Sequence, residues 1–286
     1  MTTNITIKKA IFHIKSELKN LYPDNETTSL SYIILEELLN TNKTKIISNK
    51  EKEISSDTFQ NINHIISQLK LFKPIQYILG KACFFGLNFY LTENVLIPRP
   101  ETEELVDWII KENPRFVEKI LDIGTGSGCI AISLAKNLPG ATVFASDISS
   151  DALSITRKNS KLNNVNLQIL ALDILDKNLS LNEKFDVIVS NPPYVTEKEK
   201  SLMQPNVLNY EPELALFVSD DNPLLFYQSI ISFSLKHLNP GGKLYFEINE
   251  NYGKEMALLL EELNFQNICL KKDINGKDRM IRATLN

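Results

Sequence analysis

Ile120-Leu121-Asp122-Ile123-Gly124-Thr125-Gly126-Ser127-Gly128-Cys129 is the stretch on which the fold turns. A short apolar run breaks into three alternating glycines, and a helix-forming run, Ile130-Ala131-Ile132-Ser133-Leu134-Ala135, follows at once. Strand, tight turn, helix is the opening unit of a parallel sheet. Glycine carries no Cβ, so such a turn can adopt a left-handed backbone and bring main chain close to a ligand. The helix beyond it presents free N–H groups toward the same place.

The alternation continues to the C-terminus. Strands are expected over 120–123, 142–146, 167–172, 185–190 and 243–248, and helices over 129–138, 151–161, 223–238 and 253–263. Two further apolar runs, 268–272 and 279–284, face each other across Asn275-Gly276, a strong hairpin signal. The expected fold is α/β and Rossmann-like, with a mostly parallel seven-stranded sheet that ends in an antiparallel hairpin.

Upstream the period changes. Ile7, Ala10, Ile11, Ile14, Leu18 and Leu21 recur at three-to-four spacing, as do Leu30, Ile33, Ile34, Leu38 and Leu39, and then Phe59, Ile62, Ile65, Ile66 and Leu69. Ser56 or Asp57 is placed to cap the last helix. Pro23-Asp24 and the polar stretch 40–53 separate the three. Residues 1–80 therefore read as a small helical bundle. Phe84, Phe85, Leu87, Phe89 and Leu91, around Gly86 and Asn88, predict a β-hairpin in a linker over 81–98. Pro98 and Pro100 lead into a helix near Glu101, opening a catalytic domain over 99–286.

Composition excludes several classes. With 43% apolar and 23% charged residues in 286, the chain is of ordinary globular character. Residues 1–100 carry 12 Lys/Arg against 9 Asp/Glu, leaving 19 against 26 in the remainder of a chain of net charge −4. That is not the basic footprint of a protein gripping long nucleic acid. Cys83, Cys129 and Cys269 form no C-x-x-C pair, and His13, His64 and His237 stand alone. Neither a disulfide framework nor a metal site is expected. No apolar run reaches membrane-spanning length and the N-terminus lacks a signal-peptide core, so a cytoplasmic protein is expected.

Asn191-Pro192-Pro193-Tyr194 follows the apolar run 185–190. Two prolines cannot donate to a ladder, so the chain leaves the sheet at its carboxyl edge, where open α/β sheets bind ligands. Asn191 and the Pro192 carbonyl offer two acceptors for a planar NH₂, and Tyr194 a flat ring beside it. The glycines alternate as G-x-G-x-G, and Cys129 stands where the dinucleotide fingerprint needs its third glycine, so the loop suits an amino-acid moiety better than a pyrophosphate. Asp147, 23 residues beyond Gly124, is placed either to accept from ribose hydroxyls or to cap the next helix. Asp173 and Ile174 end the third strand, at the position of a base or in a plain turn. Glu247 is read as a polar strand end, and Trp108 as packing.

Together the glycine loop, the acid after the second strand and the tetrad resemble S-adenosylmethionine-dependent methyltransferases that act on conjugated nitrogens. Pro74-Ile75-Gln76-Tyr77-Ile78-Leu79-Gly80, Phe85-Gly86 and Val95-Leu96-Ile97-Pro98-Arg99-Pro100-Glu101-Thr102-Glu103 resemble the linker signature of the HemK/PrmC family, glutamine N5-methyltransferases of peptide-chain release factors. Tyr210-Glu211-Pro212, Pro240-Gly241-Gly242 and Asp278-Arg279 are similar to its later motifs, so the resemblance runs from about residue 70 to the end. One departure is Asn249, where the family usually carries glycine.

The resemblance implies S-adenosylmethionine as co-substrate, no metal, and the glutamine of a Gly-Gly-Gln tripeptide in class 1 release factors as target. Gly124, Thr125, Gly126, Ser127 and Gly128 then hold the methionine portion, Asp147 the ribose, and Ile174 the adenine region, with Asn191 bordering both ligands. Asn191, Pro192 and Tyr194 are the expected catalytic residues, and Pro193 joins them in holding the glutamine. The helical segment is expected to dock the release factor. The chain is expected to be monomeric and to form no stable complex with nucleic acid or membrane. The alternative is a nucleic-acid methyltransferase acting on adenine N6 or guanine N2 through the same tetrad.

Overall fold

The computed structural model describes residues 5–113 and 117–286; residues 1–4 of the expected helical segment lie outside that range. The chain divides into two compact units. One holds the N-terminal residues through Leu79 with Pro205–Tyr210; the other holds Gly80–Gln204 and Glu211–Asn286.

In the first unit, helices Ile7–Leu18, Asp24–Leu38 and Ser56–Leu69 enclose Ile14, Leu18, Ile34, Leu35 and Ile62, all fully buried. Their apolar stripes at three-to-four spacing are what bring them together. The cap of the third helix is Ser55, one residue before the expected position: its extended backbone lets Oγ accept from Thr58 N at 3.0 Å. The polar stretch 40–53 holds structure that its composition hides. Asn42 caps a short helix, Lys43–Ser48, which is anchored by the single buried residue Ile46. Ile5–Thr6 then pairs antiparallel with Glu53–Ile54. A last short helix, Ile75–Leu79, closes the unit.

The second unit is built on seven strands: β1 (Lys119–Ile123), β2 (Thr142–Asp147), β3 (Gln168–Ala171), β4 (Phe185–Ser190), β5 (Leu238–Glu247), β6 (Phe265–Lys272) and β7 (Asp278–Leu285). Their spatial order is β6-β7-β5-β4-β1-β2-β3, with β1 to β5 parallel and β7 antiparallel to both neighbours. This is the α/β sheet, closed by an antiparallel hairpin, that the strand–helix alternation predicts.

Successive side chains of the central strands serve opposite faces. Ile120, Val187, Val189 and Tyr245 are buried with Leu105, Val106, Ile109 and Leu134 from helices Pro100–Glu112 and Cys129–Asn137. Leu121, Ile188, Leu244 and Phe246 are buried with Tyr227, Ile231, Met256 and Leu260 from helices Leu225–His237 and Gly253–Glu262. Burial on both faces explains why these strands read as apolar runs rather than alternations. β5 starts at Leu238, earlier than expected, because Leu238 pairs with Phe185 before Asn239–Gly242 loop out of register. Trp108 is a packing residue, edge-on to Tyr245 with centroids 5.6 Å apart.

The hairpin Lys81–Phe84/Leu87–Tyr90 turns through Phe85 and Gly86, both at positive φ (49° and 72°). Phe84 and Phe89 are buried in the core of the second unit. Asn159, on helix Ser150–Leu162, ties the hairpin down by accepting from Tyr90 N at 2.7 Å and donating to Tyr90 O at 3.0 Å. Among the described residues no helix is long and apolar enough to cross a membrane.

Candidate active site

Strands β4, β1 and β2 lie side by side and parallel, so their carboxyl ends bring Asn191, Gly124 and Asp147 to one edge of the sheet. Ser190, at the end of β4, is fully buried and donates through Oγ to Ile123 O at 2.7 Å, which fixes where the chain leaves the sheet. A cavity of about 400 Å³ opens there. Gly124, Gly126, Asp147, Ile174, Asn191, Pro192 and Pro193 line it, together with Asp173 and Leu172 from the end of β3. The crevice outside the carboxyl ends of an open sheet is where such folds take ligands.

The glycine loop divides into residues that face the cavity and residues that shape it. Gly124, Gly126 and Gly128 all adopt positive φ (73°, 56° and 83°). A Cβ at Gly128 would stand 3.0 Å from both Ile132 Cδ1 and Thr156 Cγ2, so conformation and space both require glycine there. Thr125, Ser127 and Gly128 do not line the cavity. Thr125 and Ser127 are buried. Thr125 Oγ1 donates to Asp122 Oδ2 at 2.7 Å, Ala131 N donates to the same oxygen at 3.2 Å, and Asn159 Nδ2 donates to Ser127 O at 2.8 Å. These contacts hold the loop open for the two glycines that do reach the space. Burial pushes the Asp122 carboxyl up to about 7, against the two hydrogen bonds that favour its charge. Its Oδ1 has no partner among the described residues.

Asp147 resolves the choice between helix cap and cavity residue. The cap of helix Ser150–Leu162 is Ser149, whose Oγ accepts from Ala152 N at 3.2 Å. Asp147 instead lines the cavity and accepts from Gly126 N (2.9 Å) and Ser149 N (2.9 Å), which locks its orientation against the glycine loop. Burial raises its pKa and those backbone donors oppose the rise. Asp173 lines the same cavity and also makes a turn, accepting from Leu175 N at 2.9 Å.

Around the tetrad, sequence reasoning missed a hydrogen-bonded chain. Asn191 Nδ2 donates to Thr102 Oγ1 at 3.3 Å, Thr102 Oγ1 donates to Glu247 Oε2 at 2.6 Å, and Tyr194 OH donates to Glu247 Oε1 at 3.1 Å. Tyr194 is not among the lining residues; its phenol is turned to Glu247. Burial raises the Tyr194 pKa, with the Glu247 charge adding to it. Burial also raises the Glu247 carboxyl, against hydrogen bonds from Thr102 and Tyr194 and the charge of Arg279. Asn249, the departure noted in the sequence, donates to Tyr194 O at 3.1 Å and to Glu199 Oε2 at 3.1 Å, so it braces the segment after the tetrad.

Further walls come from segments to which the sequence analysis gave no site role. Asn94, Val95 and Leu96 line the cavity, and so do Pro212, Leu214 and Ala215. The available signal was that Val95, Leu96 and Pro212 belong to motifs quoted above. Of the three histidines none lines the cavity: His13 bonds Asn63 Oδ1 at 2.8 Å, His64 bonds Gln68 at 3.0 Å, and His237 stacks on Phe233 at 4.2 Å. Among the described residues no three His, Cys, Asp or Glu gather as a metal site, and the three cysteines are free.

Comparison with known proteins agrees with this architecture. Residues 9–80 match the PrmC N-terminal domain model and residues 102–209 the methyltransferase small domain model. Among solved structures, a methyltransferase from Pyrococcus furiosus superposes with a TM-score of 0.51 at 19% identity, covering 80% of this chain and 98% of that one. The Thermus thermophilus 16S rRNA N2 G1207 methyltransferase superposes with a TM-score of 0.53 at 21% identity, covering 72% of this chain and 50% of that one. At those identities the likeness is one of fold. Sequence relatives are much nearer. The release factor glutamine methyltransferase of Bacteroides thetaiotaomicron is 47% identical over 95% of this chain and 97% of its own length. That of Flavobacterium psychrophilum is 51% identical over 93% of this chain and 94% of its own. Half the residues shared along nearly the full length of both proteins decide the assignment: the chain belongs to the release factor glutamine methyltransferase family.

Proposed function

We propose that this protein transfers the methyl group of S-adenosylmethionine to the side-chain amide nitrogen of the glutamine in the Gly-Gly-Gln tripeptide of class 1 release factors. The observation that carries the reading is that Asn191, Pro192 and Pro193 share one cavity with Gly124, Gly126 and Asp147. The donor set suits the co-substrate. Asp147 is a fixed carboxylate for the ribose hydroxyls, and Leu172 and Ile174 are apolar surface for a flat base. Gly124 and Gly126 leave main chain uncovered for the amino-acid end, since a Cβ at either would meet no protein atom within 4 Å. When bound, S-adenosylmethionine supplies an electrophilic methyl group.

The protein's own part is positioning. A carboxamide nitrogen is a poor nucleophile because its lone pair is delocalised into the carbonyl. Asn191 Oδ1 and the Pro192 carbonyl each accept one of its two N–H bonds, which aims the nitrogen and favours its partial pyramidalisation. Orientation of this kind is worth up to about 7–11 kcal/mol in the best intramolecular cases. Both acceptors bind more strongly as positive charge grows on nitrogen, so they favour the transition state over the bound substrate. Loss of the proton to solvent follows transfer. Tyr194 acts in this reading through its bond to Glu247, and the helical unit is the docking element for the release factor.

The test is transfer of labelled methyl from S-adenosylmethionine to a purified release factor and to its Gln→Ala variant. Label on the first and none on the second is expected. Equal labelling of both, or labelling of DNA or RNA alone, overturns the reading.

A further inference from the structure

We infer that Thr102 and Glu247 are positioning residues that set which end of the Asn191 amide faces the substrate. The inference rests on the methyl-transfer reading above and concerns how its acceptor is kept pointing the right way. An asparagine amide has two nearly isosteric ends with opposite chemistry: Oδ1 accepts and Nδ2 donates. Only the orientation that presents Oδ1 to the substrate can hold a substrate N–H. Nothing in the shape of Asn191 itself selects that orientation.

The selection comes from hydrogen counting along the chain behind it. In its carboxylate form, which the Arg279 charge and the two neighbouring hydroxyls favour against burial, Glu247 has no hydrogen to give, so both hydroxyls must donate: Thr102 at 2.6 Å and Tyr194 at 3.1 Å. Thr102 has one hydroxyl hydrogen and spends it there. Toward Asn191 its oxygen can then only accept, so the end of the amide that meets it, 3.3 Å away, must be Nδ2. Oδ1 is left free for the ligand. Thr102 and Glu247 are both almost fully buried, so water does not scramble the pattern. Glu247 is further held from its main chain, where Tyr227 OH donates to its carbonyl at 3.1 Å. An inverted amide would set Oδ1 against the Thr102 oxygen, two acceptors with no hydrogen between them, and an unmatched pair of this kind against a buried hydroxyl is disfavoured.

The experiment measures kcat, KM for the release factor and S-adenosylmethionine affinity in five proteins: wild type, Thr102→Val, Thr102→Ser, Asn191→Ala, and the Thr102→Val/Asn191→Ala double variant. Valine keeps the shape of threonine and removes the acceptor. Thr102→Val is expected to lower kcat by roughly tenfold to a hundredfold, the scale of a misplaced reacting group, with cofactor affinity unchanged. In the double variant Thr102→Val is expected to cost nothing further, because Thr102 acts only through Asn191. Thr102→Ser, which restores the acceptor, is expected to recover most of the lost kcat. Additive losses, or a valine variant as fast as wild type, overturn the inference while leaving the methyl-transfer reading standing. A wild-type protein that transfers no methyl group overturns both. Neutron diffraction of the wild type reads the orientation independently of any variant: hydrogens on the atom facing Thr102 are expected, and an oxygen there overturns the inference.

Discussion

Arg99 Nη2 lies 2.5 Å from Glu211 Oε1, and the Glu211 side chain is 1% exposed. The same carboxylate accepts from Ile97 N at 3.4 Å. Asn94, Val95 and Leu96, just upstream of Arg99, line the cavity, as do Pro212, Leu214 and Ala215, just downstream of Glu211. The pair therefore joins two cavity-lining segments that are more than a hundred residues apart in sequence. Removing Arg99 leaves a carboxylate buried and unpaired, whereas removing Glu211 leaves a guanidinium that already reaches solvent. Arg99→Ala is expected to cost about 2 kcal/mol in urea unfolding, more than Glu211→Gln, and to weaken cofactor binding by calorimetry. Equal stability of the two variants contradicts this asymmetry.

Asn191→Ala separates chemistry from cofactor binding. The residue directly follows the central strand β4 and lines the cavity, with its Nδ2 engaged by Thr102. Its loss removes a bond that strengthens in the transition state, so kcat is expected to fall by at least a hundredfold, the scale of losing an electrostatic donor or acceptor at a reacting centre, roughly 10²–10³. Cofactor affinity should stay within about threefold. Comparable losses in both would remove Asn191 from the role proposed here.

For Asp147 the expectation runs the other way. Asp147→Asn keeps the shape and one of the two acceptors that hold Gly126 N and Ser149 N, and removes the charge. A hydrogen bond to a charged acceptor is worth roughly 1.5–3 kcal/mol, so the cofactor dissociation constant should rise by at least about tenfold. Turnover at saturating cofactor should change little. A drop in saturated kcat with an unchanged dissociation constant would assign Asp147 a different role.

The fold was legible because burial leaves a periodic trace. Ile120, Leu121 and Ile123 serve two buried faces of one sheet, and that yields an uninterrupted apolar run. Gly124 and Gly126, which line the cavity, were readable because a strand-to-helix turn at positive φ has few other solutions. The helix Lys43–Ser48 was not legible: it depends on one buried isoleucine and an asparagine cap inside a stretch of lysines. Thr102 and Glu247 were hidden for another reason. They stand 145 positions apart, and a hydrogen bond between distant residues leaves no spacing to detect. The ring of Tyr194 is legible from the tetrad, whereas the partner of its hydroxyl, Glu247, is not.

Asp122 makes a pH-dependent prediction whose sign follows from its surroundings. The carboxyl is fully enclosed, with Oδ2 satisfied by Thr125 and Ala131 and Oδ1 without a partner among the described residues. Burial raises its pKa to about 7, and the nearby Asp147 charge pushes the same way. The folded chain therefore holds this proton more tightly than the unfolded chain, which releases it near the ordinary carboxylate value of about 4. Where the native state binds more protons, stability falls as pH rises. The contribution is complete below about pH 4 and lost as pH rises through about 7. Asp122→Asn imitates the protonated carboxyl at every pH and does not titrate. Its stability relative to wild type should improve on the order of 2 kcal/mol between pH 5 and pH 8.5, measured by urea unfolding at the two values. A difference between variant and wild type that stays constant across that interval would mean that Asp122 is already ionised in the folded protein, with a polar neighbour meeting the charge at Oδ1.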